Sequence, residues 1–534
     1  MPQTSASGML PRDFLRRCAA AFPDRTALID GDRQPTWRQL YERSGRLARA
    51  LQGLGLGKGQ ASALLGHDHI EVIEHLHACA QIGALRVGVN WRYAEREILH
   101  LIRNCDAHVL LVQASCVPQI EGLLAQLRAE GRVLVGYGGE HDLEHDYETL
   151  IAGADAAPDW PELDEDDLFG VSYTTGTTGL PKGALWTQRG VRDALTYSSL
   201  MLGFRAEDIY FAPFPMAGVP VLCGAFGLFS GMTVLLPGGS FDAQRALELI
   251  ERHRATTAIF VPTMLGRMVE LARAGSYDTS SLRLVTYGSS PASPALIRAA
   301  MDTFGCEMMQ LYGLTESTAG WLSFLRHEDH LRGLDDRPEL LTSCGRAPVH
   351  ADLSIRDPDG RELPAGEIGE LWARSSTNIP GYLGNPQEQA ELFGDADRQW
   401  LRTQDLGYMD ADGYLYLTDR KKFLIISGGY NVYPVTVENV LAEHPAVAEV
   451  AVVGAPHPDW GEAVVAQVAL RAGEQAAPQA LIEFCRDRLG AWERPKHVEI
   501  VDELPKGVTG KIAKHRIREG YRQQPERLPW HTPD

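Results

Sequence analysis

The sequence lacks the features of a secreted, membrane-spanning or zinc-binding protein. Its eight cysteines are scattered and form no Cys-x-x-Cys pair, so we expect reduced thiols, a cytoplasmic location and no structural zinc. No basic stretch followed by an apolar one opens the chain, so no secretory leader is expected. The longest apolar run, Val219 to Leu228, contains Pro220 and is too short for an integral membrane segment, which leaves peripheral membrane contact open.

An excess of basic charge is also missing. The chain has 70 acidic against 51 basic residues, a formal net charge of −19. Such a chain repels polyanions, so we expect no nucleic-acid partner, and a phosphorylated ligand would need cations placed close to it. The 534 residues, 44% of them hydrophobic, suffice for two or more domains with sizeable cores.

Short apolar runs alternate with helical patterns through much of the chain. Thr36 and Gln39 have the spacing of a capping box, and apolar residues recur at helical spacing behind them. The apolar run 61–65 precedes a helical pattern at about 70–82, and another helical pattern covers about 95–104. This alternation predicts an α/β fold with a largely parallel sheet.

A stretch rich in glycine and threonine, from Tyr173 to Gly183, follows the apolar run 168–172. Glycines let a backbone approach a ligand closely, and hydroxyls, backbone amides and a lysine can surround a polyphosphate. The spacing is not that of a P-loop, and a plain surface turn is the alternative. The candidate nucleotide contacts in this stretch are Thr174, Thr175, Gly176, Thr177, Thr178, Gly179 and Lys182.

Two further motifs follow strand-like runs. The run 282–287 ends at Gly288-Ser289-Ser290-Pro291, and the run 308–311 leads into Tyr312-Gly313-Leu314-Thr315-Glu316. Ligands of open α/β sheets bind outside the carboxyl ends of strands. A tyrosine can stack on a base, a threonine hydroxyl can contact a phosphate, and a glutamate offers a hard oxygen to Mg²⁺. The alternative in both cases is an ordinary turn.

The last quarter of the chain predicts a second domain. Asp405 suits two ribose hydroxyls because a carboxylate only accepts hydrogen bonds, and Arg420 could add donors to the same sugar. After Lys422, a new alternation of strands and helices predicts a small α/β domain of roughly a hundred residues. Lys511 ends a glycine-containing loop at 504–512, which is either a charged hairpin tip or a mobile cation that reaches another domain.

These motifs, in this order and spacing, resemble those of the adenylate-forming superfamily, which includes acyl-CoA synthetases, peptide-synthetase adenylation domains and beetle luciferases. The resemblance covers about residues 22–517, and the stretch 426–434 is most similar to acyl- and aryl-CoA synthetases of the AMP-forming type. It implies a large N-terminal domain of layered α/β subdomains, 1–420, that binds AMP and the acyl group. It also implies a small mobile α/β lid domain, 421–534, that carries a catalytic lysine.

The resemblance implies a two-step ligase reaction with ATP, Mg²⁺ and coenzyme A. A carboxylate attacks the α-phosphorus of ATP to give acyl-AMP and pyrophosphate, and the thiol of coenzyme A then displaces AMP. One alternative is a stand-alone adenylating enzyme that loads an acyl carrier protein. Others are an aryl-CoA ligase for a benzoate- or cinnamate-type acid and an inactive nucleotide-sensing protein. A homodimer is expected by analogy with the family.

The resemblance also implies residue roles. The catalytic residues would be Lys511, Thr315 and Glu316, and Mg²⁺ would be held by Thr177 and Glu316. Besides the glycine-threonine stretch, ATP and AMP would contact Gly288, Ser289, Ser290, Tyr312, Gly313, Asp405 and Arg420. Coenzyme A would contact Ser427, Gly428, Gly429 and Trp460. The small domain would swing about a hinge at Lys422, withdrawing Lys511 between the two steps.

The chain departs from the family pattern at the predicted acyl pocket. Met216 stands near the place of a histidine that many acyl-CoA synthetases carry, and Gln188 replaces the histidine of a frequent Thr-His-Arg stretch. The predicted pocket lining is Met216, Tyr287, Leu314 and Trp321. Because methionine fits irregular apolar shapes, we expect a medium- or long-chain or bulky apolar acid rather than acetate.

Overall fold

The structure is a computed structural model with a mixed α/β fold, as the sequence predicts. It describes residues 9–154, 160–174, 180–395, 397–420, 423–507 and 512–531, with 419 and 420 described by their backbone only. The chain forms two compact units. The first contains residues 1–338, 345–352 and 373–401, and the second contains 339–344, 353–372 and 402–534. The domain boundary predicted after residue 420 stays a prediction.

The first unit contains two sheets. Its strands are β1 (Leu28–Ile29), β2 (Ala61–Leu65), β3 (Leu85–Val89), β4 (Val109–Gln113), β5 (Val133–Tyr137), β6 (His145–Asp146), β7 (Leu168–Thr174), β8 (Lys182–Thr187), β9 (Ile209–Phe211), β10 (Thr233–Leu235), β11 (Thr257–Phe260), β12 (Leu284–Gly288), β13 (Glu307–Tyr312) and β14 (Ser323–Leu325). The strand orders are β6-β5-β4-β2-β3-β7-β8 and β1-β10-β9-β11-β12-β13-β14. Both are parallel except for their last pairs, β7–β8 and β13–β14, which are antiparallel.

Helices connect these strands, as parallel pairing requires. They are α1 (Pro11–Ala21), α2 (Trp37–Gly53), α3 (Ile70–Ile82), α4 (Glu95–Asn104), α5 (Leu124–Ala129), α6 (Tyr147–Gly153), α7 (Gln188–Met201), α8 (Ala243–His253), α9 (Pro262–Ala274), α10 (Pro294–Phe304), α11 (His327–Leu334) and α12 (Pro386–Leu392). The capping box predicted for α2 is confirmed, because the Thr36 and Gln39 side chains each accept a hydrogen bond from the other's backbone N–H. The 3₁₀ helices are Ala114–Leu123, Val219–Leu228, Thr315–Ser317 and Pro338–Thr342.

A four-stranded sheet follows, in the order β15 (Ala351–Arg356), β16 (Gly369–Ser375), β17 (Leu401–Met409) and β18 (Leu415–Arg420). The last part of the second unit has its own sheet and helices. They are β19 (Ile425–Ser427), β20 (Tyr430–Val432), α13 (Pro434–Ala442), β21 (Val447–His457), β22 (Gly461–Leu470), α14 (Pro478–Phe484), β23 (His497–Val501), α15 (Lys514–Gln523) and the 3₁₀ helix Pro525–Arg527. The strands pair in the order β20-β19-β22-β21, and β23 pairs with β22.

Separate apolar clusters support the two units. The first unit's cluster surrounds its helices and includes the apolar run 219–228, which forms a buried 3₁₀ helix. The sheet of residues 425–501 packs on its own clusters, which include Ile425, Val452 and Val498. Within the described ranges, no helix combines the length and apolar character that a membrane crossing requires.

Gly345 shows where close packing in the first unit depends on a missing side chain. Its φ is +83°, and a Cβ there would lie 1.9 Å from the carbonyl oxygen of Phe324. Phe324 and Arg346 exchange two backbone hydrogen bonds of 3.0 Å across this contact. We therefore expect Gly345→Ala to cost at least about 2 kcal/mol, from backbone strain and lost hydrogen bonds. Thermal unfolding at one scan rate measures the loss.

The matched control is Gly131→Ala. Gly131 has φ +73°, but a Cβ there meets no atom of the described residues within 4 Å. This variant should lose only the backbone strain, about 1 kcal/mol. Equal melting temperatures for the two variants would contradict the steric explanation.

Candidate active site

The carboxyl ends of β12 and β13 bring two predicted motifs together. The strands are parallel neighbours, with Gly288 opposite Leu311. A Cβ on Gly288 would lie 2.3 Å from the carbonyl oxygen of Leu311, so only glycine permits this approach. Ser289 follows with φ +69°, and the turn therefore leaves the sheet sharply. Ser289 and Ser290 thus lie at the same sheet edge as Tyr312, as the strand-end argument predicts.

The stretch after Tyr312 is tightly wound. Thr315–Ser317 is a 3₁₀ turn, closed by a hydrogen bond from the Leu314 N–H to Ser317 Oγ at 3.1 Å. A Cβ on Gly313 would lie 3.2 Å from the Trp321 ring, so the two residues pack directly. The Tyr312 carbonyl accepts the Leu322 N–H at 2.7 Å. These contacts hold the chain on both sides of Thr315 and Glu316.

Glu316, the predicted catalytic and Mg²⁺-binding residue, is fixed through both its side chain and its backbone. The Tyr382 hydroxyl donates to its carboxylate, and its carbonyl oxygen accepts the Ile379 N–H at 2.9 Å. A carboxylate has about four acceptor positions, so this bond leaves capacity for a cation. Tyr382 is not among the site residues predicted from the sequence. The signal for it was its place in the short motif Gly381-Tyr382-Leu383-Gly384.

Lys182 opens β8, opposite Thr174 at the end of β7. Its ammonium forms an ion pair with Glu388 of α12, and both side chains are mostly buried. Glu388 lies in the first turn of α12, where its N–H is capped by Asn385 Oδ1 at 3.2 Å. The Glu388 carboxylate is paired with the lysine that the sequence predicts to bind a phosphate. A nucleotide bound there would therefore compete with Glu388 for Lys182. No local pattern linked these residues, which are 206 positions apart.

The rest of the glycine-threonine stretch lies outside the described residues. The assignments to Thr175, Gly176, Thr177, Thr178 and Gly179 therefore stay predictions. The same holds for the hinge at Lys422 and the catalytic Lys511, which are also outside the described ranges.

Tyr287, beside Gly288, belongs to a buried hydrogen-bond chain. Its hydroxyl lies 2.8 Å from Nε2 of His330, and both residues are fully buried. The other ring nitrogen of His330, Nδ1, lies 2.7 Å from the Arg326 carbonyl, which can only accept, so Nδ1 carries the proton. Burial lowers the pKa of His330 to about 4, which keeps the ring neutral. Nε2 therefore accepts a hydrogen bond from the Tyr287 hydroxyl. His330 is not among the site residues predicted from the sequence.

The other predicted pocket residues join one large apolar cluster. Met216 is fully buried in it, and Leu314 and Trp321 pack against it partly buried. The backbone of Met216 is bonded to two buried charged side chains, Asp68 and Arg86. The structure thus brings Met216, Leu314 and Trp321 into one cluster, whereas Tyr287 lies near the carboxyl end of β12.

In the second unit, Asp405 lies opposite Arg420 on the antiparallel strands β17 and β18. Asp405 is buried, and its N–H donates to Thr403 Oγ1 at 3.1 Å. The shared register fits the prediction that both side chains serve one sugar. The Arg420 side chain is not among the described parts of the chain.

The four predicted coenzyme A contacts also come together. Gly428 and Gly429, with φ +57° and +85°, form the turn between β19 and β20, a conformation that favours glycine. The Gly428 N–H donates to the Trp460 carbonyl at 3.0 Å, and Ser427 pairs with Gly461. Trp460 is 40% exposed and stacks on His457 at 4.1 Å. The hairpin itself requires these glycines, whatever their part in binding.

Tyr287→Phe tests the buried chain at the end of β12. The change leaves His330 Nε2 buried without a donor, so we expect a loss of about 1–3 kcal/mol, measured as a lower melting temperature. Tyr137→Phe is the matched control, because the Tyr137 hydroxyl is buried with no partner among the described residues. Its removal should leave the melting temperature unchanged or raise it. A loss as large in Tyr137→Phe as in Tyr287→Phe would contradict the assignment.

Comparison with known proteins identifies the family of the chain. A family model described as AMP-binding enzyme matches residues 15–383, and one described as AMP-binding enzyme C-terminal domain matches residues 436–511. The chain is similar to a fatty acid–[acyl-carrier-protein] ligase, ScoC, of Streptomyces coeruleorubidus, with 34% identity over 93% of this chain and 94% of the relative. It is also similar to an indoleacetate–CoA ligase of Aromatoleum aromaticum, with 34% identity over 95% of this chain and 97% of the relative.

Among solved structures, the chain resembles the amide bond synthetase McbA from Marinactinospora thermotolerans. The TM-score is 0.85 and the identity 32%, covering 96% of this chain and 100% of the other. The fold is therefore shared along nearly the whole chain.

Proposed function

Because the chain belongs to the AMP-binding enzyme family and is an AMP-forming acid–thiol ligase, we propose that it couples an apolar carboxylic acid to coenzyme A. In the first step the acid would attack the α-phosphorus of ATP, forming acyl-AMP and releasing pyrophosphate. In the second step the thiol of coenzyme A would attack the acyl carbon, and AMP would leave. The cytoplasmic location and the homodimer stay predictions.

One observation carries this proposal above the others. The ends of β12 and β13 place Ser289, Ser290 and Tyr312 at one sheet edge, and Glu316 lies in the 3₁₀ turn that follows β13. These residues supply hydroxyls, an aromatic ring and a carboxylate, which are the groups needed for phosphate, base and cation. Their convergence supports a nucleotide site at this edge.

The described residues fit a magnesium ion at this edge. Mg²⁺ is usually bound by one or two carboxylates together with substrate phosphates. The Tyr382 hydroxyl holds the Glu316 carboxylate in place through one oxygen, so the group is oriented before a cation arrives. Glu316, with Thr177 by prediction, would hold the ion. The ion would stabilise negative charge on the phosphates during transfer.

The net charge of −19 makes local cations essential for the first step. Charge builds on the α-phosphate as the carboxylate attacks, and a preorganised cation stabilises it there. We assign this part to Lys511 of the small domain and a supporting part to Lys182. Thr315 would contact the α-phosphate, and Asp405 and Arg420 would hold the ribose. Withdrawal of Lys511 about Lys422 would then open the path for the thiol.

The prediction for Lys511→Ala separates the two half-reactions. Acyl-AMP formation, measured as acid-dependent pyrophosphate release, should fall by at least about a hundredfold, because one transition-state electrostatic contact is lost. Thioester formation from supplied acyl-AMP should fall much less, since that step does not use the lysine.

Lys506→Ala serves as the control in the same segment, because Lys506 pairs with Glu449 and Glu503. Both of its half-reactions should stay near the wild-type rate. An equal loss of both half-reactions in Lys511→Ala would contradict the swing of the small domain.

The acceptor in the second step has one supported alternative. ScoC loads an acyl carrier protein, and its identity to this chain equals that of the indoleacetate–CoA ligase. The exposed Trp460–His457 stack beside the β19–β20 turn supports coenzyme A, because an aromatic face can stack on its adenine. Supplying coenzyme A and a carrier protein bearing phosphopantetheine in parallel assays, and measuring AMP release with each, distinguishes the two. Faster release with the carrier protein would overturn our choice.

The acid itself should be apolar and larger than acetate. Each buried methylene contributes about 0.8 kcal/mol, so an apolar pocket distinguishes decanoate from acetate strongly. We expect decanoate or indole-3-acetate to exceed acetate at least about a hundredfold in kcat/KM for coenzyme A-dependent AMP release. A panel of aliphatic and aromatic acids measures this. Acetate as the best substrate would contradict the pocket assignment.

A further inference from the structure

Two buried ionisable side chains hold the backbone at Met216. Arg86, on β3, donates from Nη2 to the Met216 carbonyl at 2.7 Å and from Nη1 to the Ala217 carbonyl at 2.9 Å. Asp68 accepts the Met216 N–H at 2.7 Å through Oδ1. Arg86 and Asp68 are only 1% and 3% exposed. Both backbone polar groups of Met216 are thus bonded to ionisable side chains.

The strand beneath this segment adds a third constraint. A Cβ on Gly88 of β3 would lie 2.0 Å from the Ala217 carbonyl oxygen, so the strand and the segment meet backbone to backbone. Arg86 and Gly88 point to the same face of β3, because side chains alternate along a strand. Arg86 thus binds the carbonyls of residues 216 and 217, and Gly88 leaves the space that the Ala217 carbonyl occupies.

Charge is an expensive way to hold a loop in a protein interior. Burial lowers the pKa of Arg86 to about 10 and raises that of Asp68 to about 7. β3 lies inside a parallel sheet, between β2 and β7, where apolar residues are the rule. Neutral side chains or water could satisfy three backbone groups at lower cost. The arrangement therefore indicates a need for a fixed backbone at this place.

A fixed backbone at Met216 has a physical reason where Met216 borders the acid, as the sequence predicts. A methionine side chain has three rotatable bonds and adapts to its neighbours, so it sets no firm limit by itself. The limit must come from the backbone that carries it. Resting on the proposed function, we propose that Arg86 and Asp68 are positioning residues that fix the Met216 backbone and thereby set which sizes of acid the enzyme accepts.

Arg86→Met tests this proposal. It removes both guanidinium donors and keeps an apolar side chain of similar length. We expect its preference between long and short acids, as the ratio of kcat/KM values, to shift by about tenfold, the scale of one misfitted methylene. The KM for ATP should change less than about twofold, since the nucleotide contacts lie elsewhere. The assay is AMP release with straight-chain acids from hexanoate to palmitate.

A double-mutant cycle shows whether Arg86 acts through Met216. Met216→Ala should itself shift the preference towards longer acids, because the pocket gains volume. If Arg86 acts through Met216, the double variant Arg86→Met/Met216→Ala should show the same order of acids as Met216→Ala alone. Two independent shifts that add would overturn the proposal.

Arg12→Met is the matched control. Arg12 is also a buried arginine that donates to a backbone carbonyl, that of Pro161 at 2.7 Å. Its substitution should lower the melting temperature and leave the order of acids unchanged. If Arg86 had only a structural role, Arg86→Met would behave like Arg12→Met, with a lower melting temperature and an unchanged order of acids. This result would overturn the proposal.

Arg86→Lys covers the case in which Arg86→Met does not fold. It keeps the charge but replaces the two-pronged donor with a point charge that cannot match both carbonyls. We expect the preference between long and short acids to shift in this variant too, and an unchanged order of acids in the folded variant overturns the proposal. Failure of the proposed function is distinguishable, because the wild-type enzyme would then release no AMP with any acid.

Discussion

The contact between the backbones of β12 and β13 determines where the candidate site lies. At Gly288 the two strands approach so closely that a methyl group would overlap the Leu311 carbonyl. This approach holds the Gly-Ser-Ser turn beside Tyr312, and the 3₁₀ turn at 315–317, which contains Glu316, follows from the same strand end. The two turns that we predict to bind the nucleotide depend on this pairing for their position, because each follows directly from one of the paired strands.

Electrostatic pairing is the second constraint on the site. Two cations of the first unit, Lys182 and Arg86, are already engaged by protein groups. Lys182 is paired with Glu388, and Arg86 holds two carbonyls. A triphosphate would therefore exchange places with a carboxylate at Lys182, while Arg86 is committed to the backbone. Lys182 thus stays the predicted cation for the ligand, whereas Arg86 serves the scaffold.

Local patterns in the sequence predicted the elements and the strand ends. The helices at 70–82 and 95–104 have the bounds that apolar spacing indicated, and Thr36 caps α2 as expected. The partners of the site residues could not be predicted in this way. Tyr382 bonds to Glu316 across 66 positions, and Tyr287 bonds to His330 across 43. Such pairs depend on how the sheets and turns fold together, and one sequence without relatives carries no pattern for them.

Arg86 differs from these pairs, because the sequence around it already indicates a long-range partner. It stands in the strand Leu85-Arg86-Val87-Gly88-Val89, where a cation interrupts an otherwise apolar run. A buried parallel strand has no packing reason for an arginine, so the residue itself points to a long-range polar partner. The partner, the backbone at Met216, lies 130 positions away and could be found only in the folded chain. On our proposal, a soft side chain on a rigid backbone would let the predicted acyl pocket discriminate between acids of different size, with Met216 near the place of the histidine that many acyl-CoA synthetases carry.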